Sequence, residues 1–466
     1  MDKINLNYKR NWTRIEKTLD EFILFKKYVL NICKTIFLKA FIVNNTIYCV
    51  VRLDKYLYID YDSVNKKNAS SEMVENYLRK SISMKDMVDR IDLTKTQRER
   101  AETLYENLCN ALRNEDIKVR FYAQGSFASR TVIRPFKDGV DKAFDIDVIY
   151  EIQDDKNKFK PGELKDLIKE AIKTTQYWEK TTVHDKCFTV EYAEQDGVAF
   201  SIDLVPAIPE DLQSKSKLNL ITEQSHLIDT AIAIPSVSNS TSEWVTNNPK
   251  GYLKWFEREL SIFNENYIEA YRKREVYANI EDLPKDDGAN NLRTVIKFLK
   301  RNRDVFFAEI ESDNKPASII ITTIVAKMAQ FLIPTVSSLD LLSQVLDQLR
   351  YLAPNTDTNI YSPSFDPFIK NIIRRDNNDW QLYNPANGKD NLLDGWNDNV
   401  KLQKDFFEWV SHLTQSYKNL SSKDNEKEIV NEYSNMLNIP NLLAEKSEFK
   451  VTKQSPKPYR NEVRED

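Results

Sequence analysis

The amino-acid sequence predicts an α+β protein in which a lobe built on a mixed sheet precedes a lobe of helices. Segments between residues 118 and 208, such as KVRFYAQ, AFDIDVIYEI and VAFSIDLVPAI, are short and rich in β-branched and aromatic residues, which is typical of strands. After about residue 215 the apolar residues recur at helical spacing, as in NNLRTVIKFLKRNR and KLQKDFFEWVSHLTQSYKNL. Only 8 glycines occur in 466 residues, which favours a helix-rich chain over a glycine-rich barrel.

The order of these patterns divides the chain into an N-terminal extension of unknown role, the sheet lobe, the helical lobe and a polar C-terminal tail. Their bounds are residues 1–71, 72–215, 216–445 and 446–466. In the extension we expect a helix over residues 12–41, followed by one or two strands over residues 46–63. In the sheet lobe, Thr94 and Gln97 form a capping-box signature that predicts the start of a helix.

Composition excludes several classes of protein. The net charge is −4 with both signs abundant, so the chain lacks the general basic field of a nucleic-acid-binding protein. Its 4 cysteines form no CxxC pair and only 3 histidines accompany them, which argues against structural zinc and for reduced thiols in a cytoplasmic protein. Four lysines interrupt the apolar stretch at 22–43, so we expect no membrane span there.

Three strand carboxylates form the strongest chemical pattern. Side chains alternate along a strand, so Asp145 and Asp147 face the same way while the residues between them face the core. Two carboxylates so close repel each other unless a cation lies between them, and Mg²⁺ suits one or two carboxylates with phosphate oxygens. Asp203, a single acid on an otherwise apolar strand, supplies the third carboxylate that a two-metal site requires.

A Gly-Ser pair precedes these acids by about twenty residues, in QGSFASRT (124–131). Gly125 lets the backbone come close to a polyphosphate, and the Ser126 hydroxyl can donate to a phosphate oxygen. No GxxxxGK[ST] motif is present, so this is not a P-loop. A Gly-Ser pair alone carries little information, but with the three carboxylates it predicts metal-dependent phosphoryl-type transfer.

Together QGSFASRT, FDIDVIYEI and SIDLVPAI resemble the motifs of the polymerase-β-like nucleotidyltransferases. They are most similar to the CD-NTase family, the bacterial branch related to cGAS and DncV. The resemblance covers roughly residues 73–425 and includes LKRNRD (299–304), KPASIIITT (315–323) and NPANGKDNLLDGW (384–396). It departs at one position, because the family often has a histidine where Asn302 stands. The fold it implies is bilobed, with a mixed-sheet catalytic lobe and a helical lobe that completes the nucleotide cleft.

The activity that the resemblance implies is the Mg²⁺-dependent joining of nucleoside triphosphates into a cyclic di- or trinucleotide with release of pyrophosphate. Two Mg²⁺ ions are expected, with Mn²⁺ as an alternative. The residues that match the family's catalytic and metal-binding positions are Asp145, Asp147 and Asp203. Those expected to bind nucleotide are Gln124, Gly125, Ser126, Lys300 and Ser318. Tyr252 is a further candidate for the base pocket.

The partners that follow from the resemblance are nucleoside triphosphates, a downstream effector that the cyclic product activates in CBASS antiphage defence, and CBASS accessory proteins. The expected location is the bacterial cytoplasm, with no membrane and no nucleic-acid activator. The nucleotides used, the ring size and the activation signal are open. Arg293 and Lys297 precede Lys300 on the same predicted helix. Their positions fit either a solvated charged face or the nucleotide cleft.

Two other functions remain open. A linear oligonucleotide synthase or an RNA-end nucleotidyltransferase would use the same two-metal site, although the slightly acidic composition argues against an extended RNA surface. A binding protein that has lost catalysis is the other alternative. The presence of all three acids and the Gly-Ser pair argues against it.

Overall fold

The computed structural model describes residues 37–43, 46–53, 56–59, 79–80, 83–113, 117–137, 140–141, 143–195, 198–238, 240–275, 287–332, 337–352, 372–376 and 379–439. The chain divides into two compact units. One comprises Met1–Glu75 and Ala353–Asn371, and the other comprises Asn76–Leu352 and Ile372–Asp466. The predicted tail at 446–466 lies outside the described residues.

The described part of the first unit is a three-stranded antiparallel sheet in the order β1-β2-β3. Its strands are β1 (Phe37–Val43), β2 (Thr46–Leu53) and β3 (Tyr56–Ile59). The two strands after residue 45 agree with the sequence prediction, but the helix predicted to reach residue 41 is wrong from Phe37 onward. All seven residues of β1 pair with β2, and this ladder outweighs the helical spacing of the apolar residues.

The second unit contains the predicted sheet and helices. Its strands are β4 (Val119–Ala123), β5 (Phe136–Lys137), β6 (Val140–Asp141), β7 (Phe144–Ile152), β8 (Thr181–Val183), β9 (Phe188–Gln195), β10 (Val198–Pro209), β11 (Ile232–Val237), β12 (Ser242–Asn247), β13 (Arg374–Asp376), β14 (Asp379–Gln381), β15 (Tyr383–Asn384) and β16 (Asn387–Asn391). Its helices are α1 (83–91), α2 (Lys95–Ala111), α3 (Gly125–Ala128), α4 (Pro161–Lys173), α5 (Leu212–Asn219), α6 (Pro249–Glu275), α7 (Asp287–Glu309), α8 (Ser318–Met328), α9 (Ser338–Leu352), α10 (Asp394–Asp398), α11 (Val400–Ser421) and α12 (Glu426–Leu437). The capping box at Thr94 and Gln97 is present as predicted.

The main sheet is mixed, as the sequence predicts. Its strand order is β12-β11-β10-β7-β4, with β9 paired to β10 and β8 paired to β9. Strands β7 and β10 run parallel, whereas the other pairs in this sheet are antiparallel. Ile146, Val148, Ile202 and Leu204 are fully buried in one core with side chains of α2 and α4. The alternate residues of β7 and β10 therefore face the other side of the sheet, where the aspartates lie.

The helical lobe is organised around α7, which packs against α6, α8, α9, α11 and α12. Trp255, Phe256, Phe306 and Phe307 are buried in its core. The apolar side chains of α1 join the same core, so α1 packs with the helical lobe although it precedes the sheet in sequence. Among the described residues, every helix is too short or too polar to traverse a bilayer.

Candidate active site

The three predicted carboxylates lie on two adjacent parallel strands. The register aligns Asp203 of β10 with Asp147 of β7, and Ser201 with Asp145, so all four side chains share one face of the sheet. Asp145 accepts a hydrogen bond from the Ser201 hydroxyl, and Asp203 accepts one from Thr189 Oγ1 at 2.6 Å. The hydroxyls of Ser201 and Thr189 thus hold Asp145 and Asp203, the two carboxylates next to Asp147.

The electrostatics of these carboxylates are unfavourable within the protein. Burial, followed by the negative charges of Asp203 and Asp145, raises the pKa of Asp147 to about 6, and Lys300 opposes the shift. Burial also raises the pKa of Asp145, although the hydrogen bond from Ser201 lowers it. Carboxylates whose charged forms are this unfavourable are stabilised by a cation. Their arrangement therefore favours a positively charged ligand.

The Gly-Ser turn lies in direct contact with Asp147. The backbone N–H of Gln124 donates to the Asp147 carbonyl at 2.8 Å, and the chain then turns into the short helix α3. Gly125 has φ +63°, a left-handed conformation that side-chain-bearing residues rarely adopt. A Cβ at this position would overlap Asp147 Oδ2 and lie 3.3 Å from Cγ. Glycine is therefore required both by the backbone conformation and by the close approach to the carboxylate.

A cavity of about 560 Å³ opens beside this turn, and both lobes line it. All eight residues predicted from the sequence lie in its wall, namely Gln124, Gly125, Ser126, Asp145, Asp147, Asp203, Lys300 and Ser318. Tyr252 also lines it, and the Tyr252 hydroxyl lies 2.8 Å from Thr323 Oγ1. Residues separated by nearly 200 positions in the chain thus meet in one cleft between the sheet and the helices.

Lys300 is the buried cation of this cavity. Its side chain is 3% exposed, and Nζ donates to the Thr131 carbonyl at 2.7 Å. Burial, followed by the charge of the neighbouring Arg303, lowers the pKa of Lys300 to about 7, while Asp304 opposes the shift. An ammonium group held in this way gains from a negatively charged ligand, which agrees with the predicted phosphate-binding role.

Helix α8 begins at Ser318. The charged residues beside Ser318 were not predicted from the sequence as part of the site. Arg303 donates to Ser318 Oγ at 3.1 Å and to the Pro316 carbonyl at 2.9 Å, and it pairs with Asp304 at 2.7 Å. Lys315 Nζ lies 3.1 Å from the same Asp304 carboxylate. Arg303, Asp304 and Lys315 all line the cavity. The sequence signal for Arg303 and Asp304 is the charged run KRNRD, which is also typical of a solvated helix face, and Lys315 is the first residue of KPASIIITT.

Other charged residues of α7 serve the structure. Arg293 pairs with Glu257 at 2.7 Å and Lys297 pairs with Asp92, and neither residue lines the cavity. The alternative of a solvated face is wrong for Arg293, which is only 8% exposed. Arg293 is buried against the sheet lobe, where its Nε donates to the Ser129 carbonyl. Where the family often has a histidine, Asn302 accepts from Trp409 Nε1 at 2.9 Å inside the helical core.

A second cavity of about 570 Å³ adjoins the first and was not predicted from the sequence. The two cavities share Gln124, Asp147, Asp203 and Asn247. The remaining wall comes from the two residues before β9, from β10 to β12 and from β16. Its polar members include Lys186, Glu243, Thr246, Asn387, Lys389 and Asp390. The carboxylates of Asp147 and Asp203 can therefore be reached from two sides.

The donor set fits a divalent cation, although it is not a closed cluster. Within the described residues, no group of three or more His, Cys, Asp or Glu side chains stands together as a ready metal site. Mg²⁺ commonly uses only one or two protein carboxylates and completes its shell with water and substrate phosphates. The paired carboxylates at the edge of the cavity match that requirement.

Comparison with known proteins identifies relatives of this chain. Residues 79–259 match the family described as the Second Messenger Oligonucleotide or Dinucleotide Synthetase domain. The c-di-GMP synthase of Roseivirga ehrenbergii is 22% identical over 346 residues, which cover 72% of this chain and 77% of that protein. The structure of the CD-NTase CdnG of Bradyrhizobium diazoefficiens in complex with GTP is similar in fold, with TM-score 0.51 and 16% identity, covering 77% of this chain and 97% of that one.

The domain match over residues 79–259 and the fold indicate a nucleotidyltransferase. Within that class, the chain is similar to second messenger synthetases and shares the fold of a CD-NTase.

Proposed function

We propose that this chain joins nucleoside triphosphates into a cyclic di- or trinucleotide second messenger and releases pyrophosphate. The observation that carries the proposal is the pair of adjoining cavities, which share Asp147 and Asp203 and leave room for a second nucleotide beside the first. The similarity to the c-di-GMP synthase of Roseivirga ehrenbergii supports the same class of product.

The first cavity takes the donor triphosphate. Gly125 brings the backbone close to the phosphates, and the Ser126 and Ser318 hydroxyls line the same wall. Lys300 supplies a buried positive charge, and burial together with the nearby charge of Arg303 lowers its pKa to about 7. A phosphate at this position stabilises the ammonium form, so binding energy and charge compensation act together. Tyr252, which stacks at a tilt on Trp255 with ring centroids 5.3 Å apart, offers a surface for the donor base.

Two divalent cations complete the site, with Mg²⁺ as the expected ion and Mn²⁺ as the alternative. Asp145, Asp147 and Asp203 are the residues that would hold them, and a cation removes the repulsion that raises the pKa of Asp147. When bound, such cations neutralise the triphosphate and the leaving pyrophosphate.

The acceptor nucleotide takes the second cavity, and Asp203 orients its hydroxyl. Asp203 lines both cavities, and Thr189 holds its Oδ1 in place. In the reaction the acceptor hydroxyl gives its proton to the Asp203 carboxylate, and its oxygen forms a bond to the α-phosphorus of the donor. The bond from that phosphorus to the bridging oxygen breaks, and pyrophosphate leaves with the electron pair. A second step of the same kind closes the ring.

The cyclic product acts as a messenger in CBASS antiphage defence, where it activates a downstream effector and accessory proteins regulate the synthase. The enzyme works in the bacterial cytoplasm, where its nucleoside triphosphate substrates are available. The family match to second messenger synthetases supports the messenger role.

The test is direct identification of the product. The full chain is incubated with the four nucleoside triphosphates and Mg²⁺, the mixture is treated with phosphatase, and the product is identified by mass. We expect a cyclic oligonucleotide that survives phosphatase because it has no terminal phosphate. Asp145→Asn combined with Asp147→Asn is the control and is expected to form none. A product that loses its terminal phosphates would instead indicate a linear synthase, and no incorporation would contradict the proposal.

A further inference from the structure

The second cavity contains a carboxylate that the catalytic scheme does not use. Asp390 lies at the end of the β15–β16 hairpin, between Lys389 and Asn391, and it lines this cavity. Its Oδ2 accepts a hydrogen bond from Asn384 Nδ2 at 3.0 Å. Burial raises the pKa of Asp390 and the charge of Asp394 adds to the shift, while the hydrogen bond from Asn384 and the charge of Lys186 oppose it. The carboxylate therefore needs further hydrogen-bond donors.

Asn384 fixes the orientation of this carboxylate. Its own Oδ1 accepts from the Ala386 backbone N–H at 3.0 Å, so its Nδ2 is the atom that remains for Asp390. Asn384 lines the first cavity whereas Asp390 lines the second, so the pair forms part of the wall between them. A carboxylate has about four lone-pair sites, and one is taken by Asn384, which leaves Oδ1 and part of Oδ2 for a ligand.

The bases of nucleotides differ in what they offer such a group. Guanine presents two adjacent donors, N1–H and the N2 amino group, on its Watson–Crick edge. Adenine and cytosine present one amino donor beside a ring acceptor, and uracil presents one N–H between two carbonyl oxygens. A carboxylate carries only acceptors, so it pairs with both guanine donors and meets a repelling acceptor in the other three bases.

We propose that Asp390 selects guanine as the base of the nucleotide in the second cavity, the acceptor of the transfer reaction. This inference rests on the proposed function, because it assigns the acceptor to that cavity. It names Asp390 as a residue that determines specificity, held in position by Asn384.

The experiment traps the first transfer step in the full chain. The four nucleoside triphosphates are supplied in equal amounts with Mg²⁺ and, in turn, each of the four 2′,3′-dideoxynucleoside triphosphates. A dideoxynucleotide can donate its α-phosphate but has no hydroxyl with which to continue. The trapped dinucleotide retains the 5′-triphosphate of its acceptor, so its mass identifies the acceptor base.

Wild-type protein is expected to favour guanine acceptors by about tenfold or more with every dideoxy donor, which is the discrimination of one bidentate pair. Asp390→Asn should lose most of that preference, because its amide oxygen pairs with Asn384 and its NH₂ then faces the guanine donors. Asp394→Asn is the matched control. It removes a nearby carboxylate that pairs with Asn391 at 2.7 Å and lines neither cavity, so guanine preference should persist.

Outcomes separate the two claims. If wild-type protein joins nucleotides without preferring guanine acceptors, or if Asp390→Asn keeps the full preference, the role of Asp390 is refuted while nucleotide transfer stands. If no nucleotides are joined with any donor, the proposed function itself fails. The wild-type preference is measured without any variant, so a folding defect in Asp390→Asn does not protect the inference from refutation.

Discussion

The aspartates of the sheet and the charged run of helix α7 differ in how their charges are compensated. On β7 and β10 the carboxylates have hydroxyl partners and each other, and the pKa values of Asp145 and Asp147 are raised. On α7, Arg301 is 2% exposed yet fully engaged, with Asp141 at 2.7 Å and with the carbonyls of Arg134, Leu437 and Asn438.

This difference separates residues that await a ligand from residues that hold the fold. A buried charge with complete partners stabilises the structure around it, whereas one without them lowers stability and is retained for binding. Lys300, next to Arg301 in sequence, belongs with the aspartates because, among the described residues, it donates to the Thr131 carbonyl alone, whereas Arg301 is held by a carboxylate and three carbonyls. Neighbours on one helix thus have opposite roles.

The largest expected effect comes from removing the uncompensated carboxylates. Asp145→Asn with Asp147→Asn should reduce product formation by at least about 10³-fold, because the charge that holds the cations is gone. The melting temperature should stay the same or rise, since the repulsion among the three acids is relieved. Product mass and thermal unfolding measure the two effects. Asp154→Asn, an exposed carboxylate paired with Lys158, is the control that should change neither.

Arg301 should show the reverse behaviour. Arg301→Met leaves Asp141 and three carbonyls without their donor, so the free energy of unfolding should fall by about 3 kcal/mol. Denaturant titration measures this loss. The folded fraction should keep the wild-type KM for nucleotide, because Arg301 does not line the cavity. If Arg301→Met raised the KM and left the free energy of unfolding unchanged, Arg301 would act as a nucleotide-binding residue like Lys300, and the contrast between the two would be wrong.

For Lys300 we predict a loss of binding without a loss of stability. Lys300→Met should weaken binding of a non-hydrolysable nucleoside triphosphate by about 100-fold, which is the range of a charge-assisted phosphate contact. Calorimetric titration gives the affinity, and thermal unfolding should be unchanged or improved. Lys297→Met, one turn earlier and paired with Asp92, should leave the affinity near wild type. Equal losses in both variants would contradict a specific role for Lys300.

The smallest effect is a pH dependence of that contact. Because the pKa of Lys300 in the free protein is about 7, its ammonium form predominates at pH 6, is about half populated at pH 7 and is the minor form at pH 8. The affinity advantage of wild type over Lys300→Met should therefore be largest near pH 6 and should shrink as pH rises toward 8. Titrations at matched ionic strength measure this difference. An advantage that grows with pH would show that the ammonium charge is not the binding group.

The three aspartates could be predicted from the sequence because the pattern that marks them lies within single strands. The two-residue period of a strand puts Asp145 and Asp147 on one face whatever surrounds them, and a lone acid marks Asp203. The Gly125 turn was also readable, since its conformation excludes other residues. Lys300 and Ser318 entered only through the family resemblance, because nothing in the helical spacing separates Lys300 from Lys297.

The remaining features depend on contacts between distant segments. Arg303, Asp304 and Lys315 line the cavity because α7 and α8 pack beside the Gly-Ser turn, and a charged helix looks the same in sequence whether buried or solvated. Asp390 meets the catalytic strands from nearly 190 residues downstream of Asp203. The apolar spacing of residues 37–41 also fits a helix, and only the pairing of β1 with β2 shows that this segment is a strand.

Cation binding tests the central claim most directly, because it does not depend on turnover. Mn²⁺ binding to the full chain is counted by electron paramagnetic resonance in the presence of a non-hydrolysable nucleoside triphosphate, with the nucleotide alone as the blank. The uncompensated carboxylates predict two protein-dependent Mn²⁺ ions per chain for wild type and loss of both when Asp145 and Asp147 are replaced by asparagine. Equal Mn²⁺ binding by the two proteins would contradict the assignment of these aspartates as the metal site.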